Sequence, residues 1–175
     1  MRTFIALEVP DAFADDVVGV ARQLGRAVEG RFLPRGTYHV TLAFLGEVDA
    51  AGVQRAADAL DAACAGRAPV PLRADGLGKF GRAGDATLWL GLAKDPGLME
   101  LAAAVRGELD ARGVGYDRKA FLPHLTLARR ARIPSGTLPA LAFPADDTGR
   151  AVTLFKSTLE ASGAVYKSLH TAELG

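Results

Sequence analysis

Apolar residues recur along this chain in two rhythms, and the changes between them divide it into elements. Arg2 to Glu8 is apolar, aromatic and β-branched, which predicts a strand ended by Pro10. From Pro10 and Asp11 onward Phe13, Val17, Val20, Leu24 and Val28 fall three or four apart. That spacing predicts an amphipathic helix closed by Gly30. Arg31 to Tyr38, with Pro34 and Gly36, reads as a loop leading into a strand over 38–45. Asp49 is placed to cap a second helix whose stripe is Val53, Ala57, Leu60 and Cys64, stopping near Gly66.

Val70 to Phe80 and Ala86 to Ala93 read as strands joined across the glycine-rich stretch Lys79 to Asp85. A phosphate-binding P-loop needs Ser or Thr directly after the lysine and a helix beyond it. Phe80 follows Lys79 and no helical pattern follows, so the stretch is read as a hairpin connection. Asp95 and Pro96 open a third helix with the stripe Leu98, Leu101, Val105 and Leu109, ended by Gly113. A short strand near Val114 to Asp117, a strand over 124–129 and a loop over 132–149 follow. Arg150 to Glu160 and Ala164 to Leu169 then form a hairpin turning at Ser162-Gly163.

Helices do not alternate strictly with single strands, and several connections are too short for a parallel crossover. The fold class is therefore α+β, with two mainly antiparallel sheets, helices outside and a central cleft. Residues 1–175 are expected to form a single domain, and if its halves are closely packed lobes related by a pseudo-twofold axis, each contributes one sheet to the cleft.

Two strands carry the same string. His39-Val40-Thr41-Leu42-Ala43 and His124-Leu125-Thr126-Leu127-Ala128 both read H-x-T-L-A, about half a chain apart. Strand side chains alternate between faces, so in each copy the histidine and threonine share one face and the apolar residues line the other. Two of the three histidines lie in this pair.

A phosphodiester can be hydrolysed by two imidazoles, one taking a proton from the attacking water and one giving a proton to the departing oxygen. An unperturbed imidazole populates both forms near neutrality. A threonine hydroxyl two residues on can hold a non-bridging phosphate oxygen. A zinc site is the competing use, but it wants a third ligand, which would have to be His170 or a carboxylate. His170 itself reads as a surface residue.

Composition narrows the setting. A net charge of +1, from 21 basic and 20 acidic residues, argues against a protein that coats long nucleic-acid backbones. No apolar run is long enough to span a bilayer, and Glu8 interrupts the N-terminal apolar run, so a cytoplasmic setting is expected. The single cysteine, Cys64, excludes an internal disulfide and reads as a small buried hydrophobe. Nothing points to an obligatory protein partner.

At these residues the sequence resembles the two-histidine (2H) phosphoesterase superfamily, and within it the RNA 2',3'-cyclic phosphodiesterases, once described as 2'-5' RNA ligases. Arg2-Thr3-Phe4-Ile5-Ala6 before Pro10 is similar to the opening strand of that family. Tyr38 to Gly46 is similar to its first motif, Leu88 to Gly91 to its central strand, Phe121 to Arg129 to its second motif, and Ser157 to Tyr166 to its closing hairpin.

The resemblance implies metal-independent opening of a terminal RNA 2',3'-cyclic phosphate to a 2'-phosphate, without a cofactor. It implies RNA ends or nucleotides bearing that group as partners. His39 would be the proton donor and His124 the acceptor, with Thr41, Thr126 and Arg129 on the phosphate. Small cyclic nucleotides, 2',5'-linked oligonucleotides, an ADP-ribose cyclic phosphate, ligation, or silent binding of an RNA end are the alternatives. Tyr38, Phe44, Phe80 and Tyr116 are candidates to stack on a base or to pack in the core.

Overall fold

A computed structural model describes all residues, Met1–Gly175. The strands are β1 (Arg2–Glu8), β2 (Glu29–Phe32), β3 (His39–Glu47), β4 (Val70–Leu72), β5 (Ala74–Arg82), β6 (Asp85–Leu92), β7 (His124–Arg132), β8 (Asp147–Gly149), β9 (Ala151–Glu160) and β10 (Gly163–Glu173). The helices are α1 (Asp11–Leu24), α2 (Ala50–Cys64) and α3 (Pro96–Ala111).

Two four-stranded sheets carry the architecture, in the orders β10-β9-β1-β3 and β2-β7-β6-β5, and β4 pairs with β8 in a small third sheet. Every pairing is antiparallel, and in β5–β6 and β9–β10 the short hairpin connections require it. The two H-x-T strands sit differently in their sheets, β3 at an edge and β7 between β2 and β6. β3 lies beside β1 and then β9 in one sheet, and β7 lies beside β6 and then β5 in the other. One hydrophobic core joins the two, taking Ile5, Leu42 and Leu154 from the first sheet, Leu88, Leu90 and Leu127 from the second, and the buried stripes of all three helices.

The caps behave as their chemistry predicts. The Asp49 carboxylate accepts from the Gly52 N–H at 2.7 Å, and Asp95 accepts from Gly97 at 2.9 Å and Leu98 at 3.3 Å. The predicted stripes of α1 and α3 are buried, whereas in α2 Val53 is only half-buried and small residues, Ala56, Ala59 and Ala63, fill the interface.

Several boundaries differ from the sequence expectation. α1 stops at Leu24, and Glu29–Phe32, read as helix end and loop, is an edge strand. Its residues are mostly exposed, so no apolar alternation marks it. The run from 70 to 80 divides at Arg73, because β4 leaves the sheet to pair with β8 inside the stretch read as loop. Val114–Asp117 forms no strand: Asp117 N–H donates once to the Phe44 carbonyl at 2.8 Å, and no ladder continues from it. The Lys79–Asp85 stretch is a hairpin as expected, with its turn at Ala83-Gly84.

Candidate active site

Both H-x-T strands face one cavity of about 690 Å³ between the sheets, with His39, Thr41, His124, Thr126 and Arg129 all on its wall. That volume suits a nucleotide rather than a phosphate alone. Behind the polar face, Val40, Leu42, Leu125 and Leu127 are fully buried, which locks each strand's facing. Thr41 pairs with Ala6 on β1 and Thr126 with Trp89 on β6, so both threonines stand on strands held by a neighbour.

Each histidine ring leans on the backbone two residues before it. His124 Nδ1–H donates to the Leu122 carbonyl at 2.6 Å. A carbonyl can only accept, so Nδ1 carries hydrogen and Nε2 is the nitrogen left for a ligand. At His39 the Thr37 backbone acts in the same sense, favouring the protonated ring.

Aromatic rings wall both histidines. His39 stacks on Phe4, centroids 4.8 Å apart, and meets Tyr166 edge-on at 5.2 Å. His124 meets Phe80 edge-on at 5.5 Å and Trp89 at 5.8 Å. Trp89 lies flat over β5 because residue 78 is glycine: a Cβ there would stand 2.2 Å from the indole ring. Phe4, Tyr166 and Trp89 were not among the sequence candidates. Their signal was present only as apolar positions on neighbouring strands, and the register that brings them to the histidines is non-local.

The electrostatics of His39 follow from this enclosure. Burial, set against the hydrogen bond to the Thr37 backbone and reinforced by the positive charge of Arg129 and His124, lowers its pKa from 6.5 to about 4. A histidine buried neutral contributes stability that is complete above its unfolded pKa and is lost as pH falls through the folded one. Between pH 6.5 and 4 the protein is therefore expected to lose at most about 3 kcal/mol through this residue. Urea unfolding across that window checks it: His39→Asn should show a shallower fall than the parent, and parallel falls would count against it.

The other candidates separate cleanly. Phe44 lines the cavity and is 51% exposed, and Phe80 is 46% exposed beside His124, so both rings are available. Tyr38 is core. Tyr116 sits under the Arg106 and Arg118 guanidinium groups with its hydroxyl on Asp110. His170 lies outside this wall, its Nε2 2.7 Å from Asp61 on α2, and brings no third ligand to the histidine pair. Cys64 is buried, which pushes its thiol up to about 11 and removes it as a nucleophile. No helix is long and apolar enough to cross a membrane.

Two antiparallel sheets that each turn one His-x-Thr strand toward a shared cleft define a bilobal two-histidine fold. The chain belongs to the 2'-5' RNA ligase superfamily, whose model matches residues 9–147. It is 30% identical to the RNA 2',3'-cyclic phosphodiesterase of Thermotoga maritima, over 99% of this chain and 95% of the relative. It is also 30% identical to that of Escherichia coli, over 96% and 93%. Among solved structures, E. coli LigT in its apo form superposes with a TM-score of 0.83 at 27% identity, covering 99% of this chain and 96% of that one. E. coli LigT complexed with 3'-AMP superposes with a TM-score of 0.77 at 25% identity, with the same coverage.

Proposed function

We propose that this protein is an RNA 2',3'-cyclic phosphodiesterase, a phosphodiester hydrolase that opens a terminal cyclic phosphate to a 2'-phosphomonoester by acid–base catalysis between two histidines. The observation that carries the reading is the facing of His39-x-Thr41 and His124-x-Thr126 into one nucleotide-sized cavity. Full-length relatives named for this activity support it, and LigT solved with 3'-AMP supports a nucleotide as the bound group.

In this reading the threonine hydroxyls donate to the non-bridging oxygens and Arg129 offsets their charge. His124 Nε2 takes a proton from water as the water attacks phosphorus, and His39 gives a proton to the departing 3' oxygen. Burial by itself holds His39 neutral at pH 7. The phosphodiester anion supplies a negative charge beside it, which favours the imidazolium, so the proton on His39 arrives with the substrate.

The division of roles has its own test. A leaving group that departs without a proton has no need of the acid. With a phosphodiester of an activated phenol, His39→Ala should recover most of the parent's rate and His124→Ala should not. The opposite recovery would exchange the two roles. Hydrolysis of the cyclic phosphate itself is read by incubating a cyclic-phosphate-ended RNA in a chelator and identifying the 2'-phosphate product. Competition with 2',3'-cyclic AMP and a 2',5'-linked dinucleotide ranks the alternative substrates.

A further inference from the structure

Arg31 stands on β2 directly opposite Arg129 on β7. Residues opposed in an antiparallel pair project to the same side of the sheet, about 5 Å apart. Arg129 lines the cavity, and the register turns Arg31 to the same side of the sheet, next to the lining residues. From there its guanidinium crosses to the other lobe: Nη2 is 2.4 Å from the place a Cβ on Gly163 would occupy. Gly163 opens β10, and the next pair on that hairpin, Ala164 with Leu159, also lines the cavity. Arg31 therefore spans one end of the cleft from lobe to lobe, and it is exposed to solvent.

Neither arginine has a carboxylate. Glu29 on the same strand pairs with Arg132 at 3.9 Å, Glu160 lies opposite Gly163 without forming an ion pair, and no ion pair in the protein includes Arg31 or Arg129. Two arginines opposed in register and without carboxylate partners concentrate positive potential at that end of the cleft, and an anion is the group that relieves their repulsion. Arginine's planar fork suits a phosphate in particular. The reacting phosphate belongs between the two H-x-T strands, so the second cation is spare for a second phosphate.

We propose that Arg31, next to Arg129 in register, forms a second phosphate subsite that holds the phosphodiester on the 5' side of the terminal nucleotide and makes an RNA chain end, rather than a mononucleotide, the preferred substrate. The proposal rests on the phosphodiesterase reading for the identity of the first phosphate. Arg31 has no part in the chemistry: it binds the chain leading to the reacting group. 2',3'-Cyclic AMP lacks a 5' phosphate and leaves the subsite empty, whereas a diadenosine with a cyclic end fills it.

The test compares Arg31→Met and Arg31→Lys with the parent on those two substrates. Loss of one charged phosphate contact should lower kcat/KM for the dinucleotide about tenfold in Arg31→Met, with Arg31→Lys in between and 2',3'-cyclic AMP changed less than about twofold. The salt dependence of dinucleotide binding should lose about 0.7 from its log–log slope. An equal loss on both substrates would make Arg31 a clamp between the lobes, and no loss on the dinucleotide would leave it idle; either overturns the subsite. A binding arm separates this from the hydrolysis reading. Affinities for 2'-AMP and for diadenosine 2'-phosphate are measured by calorimetry, and Arg31→Met should narrow the gap between them. If the parent hydrolyses neither substrate, the phosphodiesterase reading falls while that gap still decides the subsite; a gap unaffected by Arg31→Met sinks it.

Discussion

Replacing His39 or His124 with alanine should lower turnover of a 2',3'-cyclic phosphate by at least about 10²-fold, and the double replacement should fall little further. The near-equality of single and double variants is the informative part. A proton taken by one ring and a proton given by the other belong to one transition state, so removing either partner leaves the second with nothing to complement. Each ring is also a packing element, His39 against Phe4 and Tyr166, His124 against Phe80 and Trp89. Asparagine variants, which refill part of the space, should stay as inactive as the alanines while melting closer to the parent. The measurement is initial rate in the presence of a chelator, beside a thermal melt for each variant. Near-normal turnover by a folded single variant would remove the acid–base pair as the mechanism.

Valine at Thr41 or Thr126 should cost about 10²-fold in kcat, and serine at either position should restore most of it. Valine keeps the branched shape that the strand and its neighbours accept, so the change isolates the hydroxyl. In the proposed mechanism the hydroxyls act as charge grows on the non-bridging oxygens, so the loss is expected in kcat more than in KM. The two threonines stand on different sheets, Thr41 beside Ala6 and Thr126 beside Trp89, so in the proposed mechanism they would hold the phosphate from opposite sides of the cleft. A threonine-to-valine change that raised KM alone would mean uniform binding and would move the site's oxyanion stabilisation elsewhere. Steady-state parameters for the four single variants decide between these outcomes.

The polar wall of the cleft could be read from the chain because strand alternation is a local rule. Once His39 and Thr41 share a face, Val40 and Leu42 must be behind them, and both are fully buried. What surrounds the histidines could not be read in the same way. Phe4 reaches His39 through the β1–β3 register and Tyr166 through a strand two further across the sheet, and these pairings join residues distant in sequence. β2 was hidden for a different reason. An edge strand pairs on one side and is bathed on the other, so Glu29–Phe32 has no apolar rhythm, and its one chemically pointed residue, Arg31, looks like any surface cation until its register partner is known. β8 was hidden by brevity: three residues paired with three leave no period to count.

The bond from each histidine ring to the backbone two residues upstream also bears on how such a site can survive sequence change. In many two-group catalytic arrangements a carboxylate fixes the imidazole, and a single substitution of that acid uncouples it. Here the group that acts on the ring is main chain, the Leu122 carbonyl that fixes the His124 tautomer and the Thr37 backbone that favours a protonated His39, residues with nothing in common as side chains. Each half of the site is thereby a self-contained cassette that carries its own main-chain setting, indifferent to what evolves at positions 37 and 122. Substitutions there should be silent in the ring's proton inventory, and only a change in chain length between the carbonyl and the histidine would unset it.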